Sequence, residues 1–193
     1  MKKNKQTKTY ILDASENDTF AGAPSFSLRH RLLRAAFGVT WFLLARWTPP
    51  PFHRWRVMLL NLFGAKIHST VRLYSSVRVW YPPNLEMGRQ SVLGREVICY
   101  CMDKITIGER AIISQRAHLC GGTHIVDDPN FQLITKPIII GAKSWIASEA
   151  FVSAGIEVGE GAVLGARGVA TKNLEPWKIY AGNPAKEIQK RSK

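Results

Sequence analysis

Three cysteines among 193 residues, Cys99, Cys101 and Cys120, are too few for a disulfide framework and point to a reducing compartment. Cys99 and Cys101 stand one residue apart, so the Cys-x-x-Cys spacing of zinc and redox motifs is missing as well. No run of 18 or more apolar residues occurs, and no bilayer-spanning helix is predicted. No small-residue cleavage site follows the basic start, so no secretory signal is expected. Acids are scarce: 14 stand against 27 Lys and Arg, for a formal charge of +13. Between Thr19 and Lys66 there is no acid at all. Such a surplus selects anionic partners: nucleic acid, an anionic membrane surface or an anionic substrate. No nucleic-acid-binding motif accompanies it, and nucleic acid is not expected as a partner. An apolar content of 46% excludes global disorder and permits a buried core.

The chain repeats in steps of six. From Ile107 the step reaches Ile113 and Leu119; after a gap it resumes at Ile140, Ile146, Val152, Val158, Leu164 and Ala170. Before Ile107 it breaks by two residues, then gives Cys99, Leu93 and Met87, and a second two-residue break leads to Val79, Leu73 and Ile67. All fifteen anchors are apolar, which at 46% apolar content is roughly a 10⁻⁵ coincidence before allowance for the gaps. Glycine often follows the anchor (Gly88, Gly94, Gly108, Gly141, Gly159, Gly165), and a small residue often stands four on (Ser91, Ala111, Ala117, Thr123, Ser144, Ala150, Ala162, Gly168). A period of six fits neither an α-helix nor a meander. It fits a triangular parallel β-helix, one short strand per face, with the anchor inward and glycine relieving the corner. Three faces make a coil of 18, and the anchors group into five coils. Both two-residue breaks and the long gap after the Leu119 hexad then fall at the same corner.

Tandem Leu/Ile/Val-Gly-x-x-Ser/Thr/Ala-x hexads resemble the hexapeptide-repeat acetyltransferases. The segment from Ile138 to Ile188 is similar to the galactoside, maltose and colanic-acid acetyltransferase branch. "WRVMLLNLFGAKI", "ISQRAHLCGGTHIVDDPNFQL" and "PWKIYAGNPAK" resemble the colanic-acid-biosynthesis type, and the likeness runs from about Ser25 onward. It implies a mainly β fold, a left-handed parallel β-helix, assembled as a homotrimer that carries acetyl-CoA between subunits.

The chain leaves the repeat directly after His124, through 15 residues beyond the regular step. Long loops on rigid scaffolds are where function is commonly placed. Acetylating a hydroxyl needs a base as its oxygen attacks the thioester carbonyl, and imidazole titrates in the right range. The resemblance places the family's catalytic histidine at His124. His118, one hexad earlier, reads as an ordinary strand histidine; His30, His53 and His68 lie outside the repeat core or at its start. Zinc catalysis needs three protein ligands, which this pattern does not supply, so no metal is expected. Ile125 stands where the family often has an acid. Asp127 or Asp128 is therefore expected to hold the imidazole, with solvated loop acids as the alternative.

By the same resemblance, Ser148 in "WIAS", Ala166 in "LGAR", Thr171 and Lys172 in "ATKN", and Lys186 in "GNPAK" match cofactor-contact positions. Lys186 stands where the family often has Arg, keeping the charge without the bidentate fork. A backbone N–H near Ser148 is the expected oxyanion donor. Asn183 and Pro184 are read as shaping a turn, and Tyr100–Lys104 as reaching the acceptor.

The expected organisation is a flexible basic tail over 1–24, a helical segment over 25–66, a β-helix over 67–175 with a loop at 125–139, and a C-terminal cap over 176–193. Ser25 or Ser27 is the expected N-cap of the first helix, Pro49–Pro51 break it, and "FHRWRVMLLNLF" forms a second. Trp, Phe and Leu flanked by Arg fit either a cap over the open end of the solenoid or a monotopic membrane contact. The expected function is acetyl-CoA-dependent O-acetyl transfer to a saccharide, free or lipid-linked, in exopolysaccharide or lipopolysaccharide biosynthesis. The expected location is cytoplasmic, with peripheral contact on the inner face of the membrane as an added role. N-acetyl transfer to an amino sugar and a non-catalytic β-helix scaffold are the alternatives.

Overall fold

The computed structural model of the chain describes residues 11–17 and 19–192. The Lys-rich start of the expected tail, residues 1–10, lies outside the described residues. From Lys66 the chain winds as a parallel β-helix of three stacked faces. The first face stacks Lys66–Ile67, Leu85–Met87, Ile105–Ile107, Ile138–Ile140 and Glu157–Val158. The second begins with Arg72–Leu73, Val92–Leu93, Ile112–Ile113, Trp145–Ile146 and Val163–Leu164. The third stacks Arg78–Val79, Ile98–Tyr100, His118–Cys120, Phe151–Val152 and Val169–Ala170. All fifteen anchors fill the interior, none more than 9% exposed. Each buried Leu, Ile or Val there contributes about 1.5–3 kcal/mol.

The corner assignment holds. Lys66 pairs with Glu86, and Glu86 with Thr106, twenty residues on each time, whereas Ile139 pairs with Glu157, eighteen on. The extra residues of the early coils and the long loop share the corner between the third and first faces. The count of five coils needs one addition, part of a sixth turn. Leu174 bridges to Val158, and Lys178–Ala181 stacks in parallel on Val163–Leu164 before Lys186–Lys190 folds back antiparallel. Val163 to Ile179 is sixteen residues, so a strict step of six passes over this turn.

The glycines after the anchors serve a different purpose from the one expected. Their φ is not positive; the left-handed residues come two positions later, at Gln90, Glu96, Arg110, Lys143, Gly161 and Arg167. What the glycines supply is closeness. A Cβ on Gly108 would lie 2.5 Å from the Ala142 nitrogen, and one on Gly141 2.5 Å from that of Glu160. Backbone of the next coil occupies the space that a side chain would need.

Two helices, α1 (Leu28–Leu44) and α2 (His53–Leu62), precede the solenoid, with Ser27 as the N-cap of α1. The second covers the open first coil, burying Val57, Leu59 and Leu60. Its polar side chains satisfy the strand edges there. The Asn61 amide donates to Ile67 O and accepts from Ile67 N, both at 2.9 Å, and Arg56 Nε donates to Leu73 O at 2.8 Å. Fully buried Arg56 also donates to Thr48 Oγ1 and to the Pro49 and Pro50 carbonyls, so backbone oxygens replace a carboxylate. Gly64, at φ +92°, ends α2: its N–H donates to Asn61 O and that of Ala65 to Leu60 O, a Schellman closure.

Helix α1 lies against the third face. Phe37 is buried, and Trp41 Nε1 donates to Ser75 O at 3.2 Å. His30 is buried beside Phe26, Trp80 and Tyr81; burial, then the Arg34 charge, pushes its pKa down to about 4. The opposite side of α1 is also apolar, with Leu28, Leu32, Val39 and Leu43 exposed four, seven and four residues apart. No helix among the described residues is long and apolar enough to cross a membrane.

Candidate active site

The loop after Leu119 opens as a two-stranded hairpin. Gly122–His124 pairs antiparallel with Leu133–Thr135, placing His124 opposite Leu133. Its foot is wedged onto the preceding coil. The Gly121 N–H donates to Tyr100 O at 3.0 Å, and Thr135 Oγ1 donates to Asp103 Oδ2 at 3.3 Å. A Cβ on Gly122 would collide with the Met102 sulfur. The expected acceptor region, Tyr100–Lys104, thus forms the platform on which the hairpin stands.

The His124 ring is exposed and lies flat on Phe131, with centroids 4.5 Å apart and planes at 15°. Its Nδ1 is 2.7 Å from the Phe131 carbonyl oxygen. A carbonyl only accepts, so Nδ1 carries the hydrogen and the neutral ring keeps its lone pair on Nε2. Here the expectation of an orienting acid is corrected. Neither Asp127 nor Asp128 hydrogen-bonds the imidazole; Asp128 Oδ1 instead accepts from Asn130 N at 2.8 Å and shapes the turn, while Asp127 is exposed. Phe131, with φ +51°, directs its carbonyl to the ring, a backbone role with no sequence signature.

His118 is a different kind of histidine. It lies between Tyr100 and Phe151 on the third face, its Nε2 is buried without a partner, and burial lowers its pKa. Among the described residues no three His, Cys, Asp or Glu side chains are grouped to hold a metal ion.

Sequence reading also missed the N-terminal segment. Residues read as a flexible tail fold onto the loop: Ile11 bridges to Phe26, and Ala14 N donates to Gln132 Oε1 at 2.7 Å. Ile11, Ala14 and Phe26 are buried. Leu12, Ala14, Thr19 and Ser25 line a small recess with His124 and Phe131. Two apolar residues flanking a turn-rich stretch were the only available signal.

The five cofactor candidates gather around the C-terminal part of the third face. Ser148 and Ala166 occupy the same corner of successive coils, between the second and third faces. The backbone N–H groups of both make no hydrogen bond within the described residues. A ladder of unpaired amides along a straight edge fits the carbonyls of a pantetheine arm. Thr171 and Lys172 are exposed at the other corner of that face. Lys186 follows the turn through cis Asn183-Pro184, which is fastened by the Ala185 N–H to Val169 O at 2.8 Å. The structure does not bring His124 together with Ser148 and Ala166 in one chain: they sit at different corners, with the third face between them.

Comparison with known proteins agrees with this architecture. No protein-family model matches the chain. WcaF of Escherichia coli (strain K12), named as an acetyltransferase of colanic acid biosynthesis, is 41% identical over 145 residues, 75% of this chain and 80% of WcaF. The maltose O-acetyltransferase of Clostridium difficile 630 has a TM-score of 0.77 at 21% identity, over 86% of this chain and 90% of its own. A hexapeptide-repeat acetyltransferase of Vibrio cholerae O1 biovar eltor, crystallised with acetyl coenzyme A, has a TM-score of 0.75 at 19% identity, covering 94% of this chain and all of its own. The two structures show a shared fold, and the sequence identity to WcaF shows kinship. This chain belongs to the WcaF family of hexapeptide-repeat acetyltransferases.

Proposed function

We propose that this enzyme transfers the acetyl group of acetyl-CoA to a saccharide hydroxyl in exopolysaccharide or lipopolysaccharide assembly, the WcaF name pointing to a colanic-acid type of polymer. The observation that carries the reading is the Nδ1 contact of His124 with Phe131 O, which keeps Nε2 free as a base on an exposed ring. Acetyl-CoA supplies the activated acetyl thioester. As the acceptor oxygen bonds to the acetyl carbon and the carbon–sulfur bond breaks, the hydroxyl proton passes to Nε2 and then to the departing thiolate. The free N–H of Ser148 or Ala166 is suited to stabilise charge on the carbonyl oxygen. Lys172 and Lys186 would meet the phosphates of CoA.

A homotrimer would close the gap between corners, setting His124 of one subunit against the Ser148–Ala166 edge of the next. The second face supports such contact, because its outward residues Ile112 and Trp145 are each 46% exposed and apolar. Light scattering on the purified chain should find a species three times the 21.7 kDa chain mass, and that fraction should hold the activity. The assay is CoA-thiol release with a panel of saccharides. Release with neutral sugars supports O-transfer, release with amino sugars alone would replace it with N-transfer, and no release by any fraction would leave only a scaffold.

The protein is further proposed to work on the cytoplasmic membrane surface, where a lipid-linked acceptor would be presented. Phe42, Leu43, Trp47 and Phe52 are exposed around the α1–α2 turn, with Arg46 and Arg54 beside them. Anionic vesicles should co-sediment the chain at low salt. Each Lys or Arg near such a surface contributes about 1 kcal/mol, screened over a Debye length. Salt should therefore remove part of the binding, the buried apolar side chains retaining the rest. Absence of co-sedimentation at low salt would exclude the membrane role.

A further inference from the structure

We infer that the cleft between α1 and the third face is a binding site for a phosphate or diphosphate ester, and that the saccharide acceptor carries this group. The acceptor half of the inference rests on the acetyl-transfer reading above. The cleft encloses about 690 Å³, and Arg31, Arg34, Arg46 and Arg78 all line it. None of the four takes part in an ion pair or side-chain hydrogen bond among the described residues. No acid stands anywhere between Thr19 and Leu85 to compensate them. Four unpaired guanidinium groups around one concavity repel each other, and an anion held among them relieves that repulsion.

The geometry selects the anion. Arg34 is half-buried with its guanidinium carbon 3.9 Å from the centre of the Trp80 ring, so the ring holds the group in place while its N–H donors make no hydrogen bond among the described residues. A guanidinium fork held there matches the paired oxygens of a phosphate. One carboxylate would leave most of this charge unmet. A nucleic-acid strand would need an extended basic track with successive stacking platforms, and this site is a single open cleft. Trp80 and Tyr100, edge to face at 5.5 Å, form its apolar wall and would pack against the body of the ligand.

The same wall connects the cleft to the transfer site. The Tyr100 ring lines the cleft, while its carbonyl accepts the Gly121 N–H at the foot of the His124 hairpin. Trp80 and Tyr100 also pack against the small cluster of Ile11, Phe26, Met102 and Leu133, and Leu133 is the cross-strand partner of His124. A phosphate fixed in the cleft would anchor an acceptor beside the loop that carries the base.

The test titrates inorganic pyrophosphate into the full chain by calorimetry, with CoA at saturation so that the cofactor's own diphosphate site is filled. Saturable binding of one pyrophosphate per chain is expected. The Arg31→Gln/Arg78→Gln pair, both exposed and free of structural contacts, should weaken it about tenfold or more. Arg54→Gln/Arg72→Gln, which removes the same charge outside the cleft, should change it less than about twofold. No saturable binding, or equal loss in both pairs, would overturn the site. In turnover, the first pair should raise KM for a phosphorylated saccharide and leave kcat and the KM of its dephosphorylated form unchanged; an equal rise for both forms would overturn the acceptor assignment. Displacement of pyrophosphate by anionic vesicles, with no KM difference between the forms, would give the cleft to lipid headgroups and overturn it too. Wild-type chain that binds pyrophosphate but acetylates no saccharide would refute the acetyl-transfer reading while leaving the anion site standing.

Discussion

Replacing His124 with Ala is expected to lower turnover by about 10²–10⁴ while leaving acetyl-CoA affinity nearly unchanged. The size follows from losing a positioned base: without Nε2, the hydroxyl proton has no acceptor as the new bond forms. Affinity should survive because the proposed cofactor contacts stand apart from the ring: Ser148 and Ala166 lie at another corner of the prism, Thr171 and Lys172 lie at the corner of His124 but two coils further along, and Lys186 lies beyond the Lys178–Ala181 strand. His124→Asn is a sharper probe, since its Nδ2 can stand where Nδ1 stands and donate to the Phe131 carbonyl but supplies no basic nitrogen. It should keep the loop conformation and remain as inactive as the alanine variant. Asp127→Asn should fall within a few-fold of wild type, because no bond from Asp127 reaches the ring. Steady-state rates with a responsive saccharide, together with CoA titrations, measure all three. Near-normal turnover in His124→Ala would end the base mechanism, and a collapse in Asp127→Asn would restore the acid to a role that the geometry denies it.

A single methyl group should have the largest effect on stability. Gly141→Ala would place a Cβ 2.5 Å from the Glu160 nitrogen, 2.7 Å from the Gly159 carbonyl carbon and 2.8 Å from the Val158 oxygen. All three are backbone atoms of the next coil, so no side chain can swing aside; the coils must part. Overpacking of this kind costs about 1–3 kcal/mol and more where the backbone itself must shift. Separation here would also weaken the Gly141 N–H bond to Val158 O, now 2.7 Å. Gly38→Ala is the contrasting substitution. A Cβ there meets nothing within 4 Å, and the residue sits inside α1, where alanine is favoured over glycine by about 0.5–1 kcal/mol. Thermal denaturation should move down for Gly141→Ala and slightly up for Gly38→Ala. If both moved alike, closeness of coils would not be the reason for glycine after the anchor.

Acid should leave the His30 cluster intact until low pH. The His30 pKa is lowered to about 4 from 6.5, so the neutral ring is the form that burial favours. A depressed folded-state value on a histidine means that the unfolded chain binds the proton first. Stability from this group is therefore complete above about pH 6.5 and declines as pH falls toward 4.

The sequence by itself determined the solenoid. Its period, all fifteen inward anchors, the shared corner of the breaks and the departure of the chain after His124 could all be read from spacing. That is because a solenoid is built from contacts between neighbouring repeats, and these copy a one-dimensional pattern into three dimensions. Ser148 and Ala166 were named by the resemblance and not by spacing; the structure sets them one coil apart at one corner. What only the tertiary structure decided were contacts between backbone groups distant in sequence or free of any side-chain signal. The partner of His124 is a carbonyl, Phe131 O, which every residue type possesses, so two nearby carboxylates drew the expectation instead. The Ile11–Phe26 segment has no period to reveal it, and Ala14 reaches Gln132 across 118 residues of sequence. The glycines were legible as a pattern and their cause was not: whether glycine answers to its own torsion or to a neighbouring coil's nitrogen is settled by where that coil lies. The sixth turn went uncounted because its shortened step departs from the period that exposed the other five.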